Sequence, residues 1–222
     1  MPQYLVLGRH GESEANASLT KTECGLYYSN SGSDPTVPLT PTGLEQAQIV
    51  ARRLAQLFPS ERPIQRAFDN DYVRVQLFAD KVVGGIGYPV KRLRDPRLNK
   101  RSYGDFWNLT YRGVRELRPH EWKRFEEMGP LEYRPPQGEN YPDLFSRVDE
   151  FIEQEIQPNC ENTLVLTSSV VVLSFMRCLE QLSDEEVLRQ YEQQCVGNAQ
   201  LVLYRRNAVG EPWCRCDEVI AA

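Results

Sequence analysis

Tyr4–Asn16 reads YLVLGRHGESEAN. A short apolar run closed by Gly and polar residues predicts a buried strand over Tyr4–Leu7, ending in the turn Gly8-Arg9-His10-Gly11. The chain has 222 residues and two histidines, and one of them stands at this strand end. A neutral imidazole is a competent nucleophile and can carry a phosphoryl group. A phosphoryl group in transfer spreads negative charge over three oxygens. Fixed cations and N–H donors around those oxygens are the main source of rate. Arg9 supplies a permanently charged fork, Gly11 permits close backbone approach, and Asn16 offers an amide donor. The tripeptide Arg-His-Gly alone also suits a histidine packed beside a turn, so the wider sequence has to decide.

Outward from this turn, Ala17–Leu39 is rich in Ser, Thr, Gly and Pro without a period, which predicts a long loop. Thr40-Pro41 opens a helix, with Thr as N-cap and Pro at the first helical position. Leu44, Ala47, Val50, Ala51, Leu54 and Leu57 give that helix one apolar face. A strand over Ile64–Phe68, a helix over Asp71–Val83 stopped by Gly84-Gly85, and a strand over Tyr88–Leu93 follow. Residues 95–142 are dense in charge, aromatics and proline, and read as an excursion carrying one helix over Tyr111–Glu127. Leu144, Phe145, Val148, Phe151, Ile152 and Ile156 mark an amphipathic helix. Thr163–Thr167 is a buried strand, Val170–Leu182 an apolar helix, and Ser183–Glu186 a capping box. Ala199–Arg206 is a late strand. Alternating strands and helices predict an α/β three-layer sandwich in one domain over 1–222: a mostly parallel sheet, helices on both faces, and the excursion at about 95–142. Ligands of such sheets sit at the carboxyl ends of strands, here Gly8–Glu12 and Thr167–Val170.

The net charge of -5 argues against nucleic acid as partner. No apolar run reaches the roughly 18 residues of a membrane span, and the N-terminus lacks the pattern of a signal peptide. None of the 6 cysteines forms a C-x-x-C pair. These features read as a cytoplasmic protein with reduced thiols and no metal site.

Arg9, His10, Gly11, Glu12, Ser13 and Asn16, followed by Leu39, Thr40, Gly43, Gln46 and Ala47, resemble the histidine phosphatase superfamily, also called phosphoglycerate-mutase-like. The family pattern is R-H-G-E/Q-S/T-x-x-N, then L-T-x-x-G-x-x-Q-A. The segment NDYVRVQLFA is similar to a family segment whose arginine corresponds to Arg74. Gly138, Glu139, Asp143 and Arg147 resemble a further stretch, and NTLVLTSSVVVLSFMRC resembles the last strand and helix of the fructose-2,6-bisphosphatase branch. The resemblance implies that His10 becomes phosphorylated and that Arg9, Asn16, Arg74 and Gly11 bind the phosphoryl group. It implies no metal or organic cofactor, and a small phosphorylated metabolite or inorganic phosphate as partner. Glu12, Tyr27, Tyr28, Arg101, Tyr103 and Arg134 are the expected substrate-side residues.

The sequence departs from the pattern twice. Ser168 stands where the family has a second histidine, and Lys100 where it has a glutamate acting as acid and base. A serine hydroxyl still donates one hydrogen bond but brings no charge. A lysine among arginines can release a proton, since like charges favour its neutral form. His10, Lys100 and Ser168 are therefore the expected catalytic set, and Asn70 stands where the family has serine. His120 is expected at the surface. Two functions follow from these residues. One is a phosphomonoesterase of the histidine acid-type class with reduced turnover, hydrolysis being favoured over mutase chemistry. The other is a catalytically impaired relative that binds phosphoryl ligands or protein partners.

Overall fold

The structure is a computed structural model that describes residues 2–19, 25–28 and 33–216. Six strands form one sheet: β1 (Gln3–Arg9), β2 (Arg66–Asp69), β3 (Lys91–Arg94), β4 (Thr163–Thr167), β5 (Leu201–Arg206) and β6 (Cys214–Arg215). Their order is β3-β2-β4-β1-β5-β6. The pairs among β3, β2, β4 and β1 are parallel, while β5 and β6 join antiparallel. The helices are α1 (Glu14–Leu19), α2 (Pro41–Leu57), α3 (Val73–Gly85), α4 (Tyr111–Leu117), α5 (Pro119–Glu132), α6 (Tyr141–Phe151), α7 (Ser169–Glu180) and α8 (Asp184–Glu192).

The two cores follow from the period of two along a strand. Leu5 and Leu7 of β1, with Val165 of β4, pack with α6 and α7 through Leu144, Val148, Phe151 and Phe175. Val6 of the same strand, with Leu164 and Leu166, faces α2 and α3 through Ala47, Val50, Leu54, Phe78 and Val82. Both faces of the sheet are thus covered, as the alternation of elements predicts. On the α6–α7 side the Phe151 ring stands edge-on to Phe68 of β2 at 5.0 Å and to Phe175 of α7 at 5.9 Å, tying the sheet to two helices.

Local chemistry sets the helix ends. The Thr40 hydroxyl accepts from the Gly43 amide, and Pro41 follows at the first helical position. The Ser183–Glu186 capping box forms as predicted, and Asn140 with Asp143 makes a second one at the start of α6. Four features differ from the predicted pattern. The excursion carries two helices instead of one, because Pro119 has no N–H to continue α4 and the backbone breaks at Arg118. α5 is kinked at Gly129, where φ is 80°. The amphipathic helix α6 winds beyond Phe151 as a π segment, Ile152–Ile156, which keeps Ile152 and Ile156 in the core. The long loop is also shorter than expected, since α1 occupies its start and a 3-10 turn forms at Asp34–Thr36.

No helix among the described residues is long and apolar enough to cross a membrane. The five described cysteines are free thiols, and Cys24 lies outside the described residues.

Truncating the ring shared by β2, α6 and α7 leaves a cavity that the sheet cannot close. Phe151→Ala is expected to lower unfolding free energy by about 3–5 kcal/mol, read as a lower urea midpoint with an unchanged slope.

Candidate functional site

The register of the central strands builds the site. Arg9 pairs with Thr167 across the parallel β1–β4 ladder, and the His10 amide donates to the Thr167 carbonyl at 2.9 Å. The residues that follow each strand, His10 and Ser168, therefore emerge side by side. Both line a cavity of about 520 Å³ together with Arg9, Asn16, Arg74 and Lys100.

The imidazole is oriented by its own turn. Its Nδ1–H donates to the Gly11 carbonyl at 2.7 Å, which leaves the Nε2 lone pair for the cavity. Burial, then repulsion from Arg74, hold the His10 pKa well below the ordinary 6.5. The ring is only 4% exposed, so it stays neutral and nucleophilic at physiological pH.

The turn is held from below by the start of α2. The Glu12 amide donates to Gln46 Oε1 at 2.8 Å, and the Glu12 carboxylate accepts from the Thr40 hydroxyl at 2.7 Å. A Cβ on Gly11 would stand 2.6 Å from the Gly43 carbonyl, and one on Gly43 would stand 2.1 Å from the Glu12 carbonyl. Both glycines are required by this contact of backbone on backbone. Neither Gly11 nor Glu12 is among the residues that line the cavity; the Glu12 amide and carboxylate are spent joining the turn to α2, which corrects its expected substrate-side place, while the Gly11 carbonyl is taken by His10.

Further polar groups line the same cavity. Arg9 donates to the Val196 carbonyl at 2.8 Å, and its buried Nε lacks a protein partner. Burial and the neighbouring Arg74 lower its pKa. Asn16 Oδ1 accepts from Ser13 and from Asn198, leaving the amide nitrogen of Asn16 as donor. Ser168 is the N-cap of α7 without using its side chain as a cap; its buried Oγ has no partner. An open hydroxyl at the positive end of a helix is a ready site for an anion.

Sequence reasoning missed Asp34. Its carboxylate bridges Arg74 at 2.9 Å and Lys100 at 2.9 Å, and its carbonyl accepts a second bond from Arg74. Burial raises its pKa, but Lys100 and Arg74 more than offset this and hold it below the ordinary carboxylate value. Asp34 is thus an anion seated on two of the cavity's cations. Its only sequence signal is Asp-Pro in a loop; its partner Lys100 lies 66 positions away.

Lys100 is presented by a clamp. Asn70 donates to the Leu98 carbonyl. Glu139 accepts from the Ser102 amide and from Arg147, which in turn donates to the Arg97 carbonyl. Arg101 donates to the Glu139 carbonyl and stacks on Tyr103 and Tyr141. Tyr28, Arg101 and Tyr103 line the cavity, whereas Arg134 and Tyr27 do not. Arg134 is turned outward by its ion pair with Asp143, which corrects its expected substrate-side place. The His120 side chain is exposed on α5, as expected.

The model of the histidine phosphatase superfamily, branch 1, matches residues 5–210. The chain belongs to the histidine phosphatase superfamily. A 2,3-bisphosphoglycerate-dependent phosphoglycerate mutase of Brucella melitensis is 28% identical over 216 residues, covering 94% of each chain. Two solved structures share the superfamily fold with this chain. The alpha-ribazole phosphatase from Shigella flexneri superposes with a TM-score of 0.70 at 21% identity, covering 97% of this chain and 96% of its own. A mycobacterial glucosyl-3-phosphoglycerate phosphatase solved with VO3 gives 0.66 at 20% identity, covering 96% and 97%. Among the described residues no cluster of three His, Cys, Asp or Glu could hold a metal ion.

Two outcomes are expected. In a His120→Gln background the single remaining imidazole titrates by NMR below 6.5, and Arg74→Gln moves that midpoint upward by removing the second-largest cause of the shift. Asp34→Asn frees Arg74 and Lys100 from their two ion pairs, so inorganic phosphate should bind several-fold tighter by calorimetry, each pair being worth up to about 1 kcal/mol.

Proposed function

We propose that the chain hydrolyses small phosphomonoesters through a phosphohistidine on His10. The observation that carries this reading is the Nδ1–H bond to the Gly11 carbonyl, which leaves a neutral Nε2 facing the cations of the cavity. Family membership and the phosphatases among its structural neighbours support it.

In this mechanism the substrate phosphoryl group displaces the Asp34 carboxylate from Arg74 and Lys100. Its oxygens then take bonds from Arg9, Arg74, the Asn16 amide and the Ser168 hydroxyl. The Nε2 lone pair attacks phosphorus and an N–P bond forms. The P–O bond to the alcohol breaks, its electron pair leaving with oxygen, and the Lys100 ammonium gives that oxygen a proton. The Lys100 amine then takes a proton from a water whose oxygen attacks phosphorus. The P–N bond breaks, its electron pair returns to Nε2, and phosphate leaves. Neutral Ser168 contributes a hydrogen bond without charge, so turnover is reduced; removing one donor of this kind costs about 10²–10³ in rate.

A second reading, a phospholigand-binding protein without turnover, is favoured by the same two residues, Ser168 and the Asp34-paired Lys100. Phosphate release from p-nitrophenyl phosphate at pH 5–8 separates them. Release is expected from the parent and none from His10→Ala, while Lys100→Ala lowers kcat by about 10²–10⁴, the usual contribution of a proton donor. An acid-labile phosphoryl group on His10 should be trapped on rapid quenching with alkali. No release above the His10→Ala background, with phosphate still raising the melting temperature, would leave the second reading standing.

A further inference from the structure

The phosphoryl end uses only part of the cavity. Its remaining wall is made by the excursion and by α8, and it is aromatic. The chain contains 3 tryptophans, 11 tyrosines and 8 phenylalanines, and ten of these side chains line this one cavity, two of the tryptophans among them. Tyr111, Trp122 and Phe125 form a cluster with centroids 5.3–6.3 Å apart, Tyr111 standing edge-on to Trp122 and Phe125 tilted against both, and Phe125 meets Tyr133 edge-on at 5.5 Å.

These rings are not an ordinary core. Of all the residues in α4 and α5, only Gly113 and Leu131 are fully buried. Tyr111 is 56% exposed, and Trp122 and Phe125 are half-buried. Apolar rings left open inside a concave site are the usual sign of a ligand face. The charge distribution narrows the ligand. The cations lining the cavity are Arg9, Arg74, Lys100 and Arg101. The first three surround the phosphoryl end, and Arg101 is engaged by Glu139 and by two tyrosine rings. Arg124 lies 5.9 Å from the Tyr133 ring centroid but is paired with Glu121 and does not line the cavity, so among the described residues the lining has no further cation for a second phosphate or a carboxylate.

We infer that the alcohol part of the preferred phosphomonoester is an apolar aromatic ring system, seated against Tyr111, Trp122 and Phe125 while its phosphate lies at His10. The inference rests on the phosphoryl-binding role proposed above, but not on turnover. Offset and edge-on ring contacts stabilise by about 0.5–1.5 kcal/mol beyond the area that they bury, and an open-chain polyol phosphate forms none of them.

The test is calorimetric binding to His10→Ala protein, which cannot consume its ligand, with 1-naphthyl phosphate, glycerol 3-phosphate and 3-phosphoglycerate as probes. Naphthyl phosphate is expected to bind at least about tenfold tighter than the other two. Trp122→Ala and, at the more exposed position, Tyr111→Ala should each narrow that ratio several-fold. This pattern supports the inference even where the parent releases no phosphate from any ester, in which case hydrolysis alone fails. Equal affinities, a preference for 3-phosphoglycerate, or a ratio that neither substitution moves would overturn it, whatever the parent's activity.

Discussion

One hydrogen bond, from His10 Nδ1–H to the carbonyl of the next residue, decides what the site can do. It sets the tautomer, aims the other nitrogen into the cavity and does so without a carboxylate partner. The bond requires the Gly8–Glu12 turn to keep one shape, and that shape depends on backbone contact with the first turn of α2. The family's two sequence signatures, separated by the long loop, are in physical terms a single object. One carries His10, and the other supplies Thr40, Gly43 and Gln46 to fix its turn.

The electrostatics follow from that arrangement. Arg9, Arg74 and Lys100 are brought to a neutral ring, and their mutual repulsion is relieved in this structure by Asp34. The positive end of α7 adds to the same field beside Ser168. Under the proposed function a loop carboxylate and a phosphoryl group compete for the same cations, Arg74 and Lys100. Under the proposed function, Ser168 in place of a second histidine bears more on rate than on binding. A hydroxyl at a helix N-terminus can hold an oxygen of the ground state, yet it answers weakly to the charge that develops during transfer.

Much of the fold was legible because strand and helix periods are local. The alternation of Leu5, Val6 and Leu7 between two cores, the Thr40 cap and the Ser183 box are written in adjacent residues. The π segment after Phe151 was not, since its apolar spacing matches a continuing α-helix. The break at Pro119 was legible by the proline rule, but the apolar pattern runs through it. At the site, His10, Arg9 and Arg74 stood out through motif spacing. Asp34 did not, because an ion pair across 66 positions leaves no local trace. Glu12 and Arg134 were legible as charges, but not in direction: one turns down to Thr40 and the other out to Asp143.

The tryptophans have a consequence of their own. Trp107 and Trp122 look into the cavity. Trp213 instead lies buried with the Arg206 guanidinium 4.4 Å from its ring centroid. Two indoles thus sense whatever enters beside His10, while the third senses only the state of the sheet edge. The three indoles therefore report from two separate places, so with Trp213 replaced the remaining emission follows the cavity, without attaching a dye.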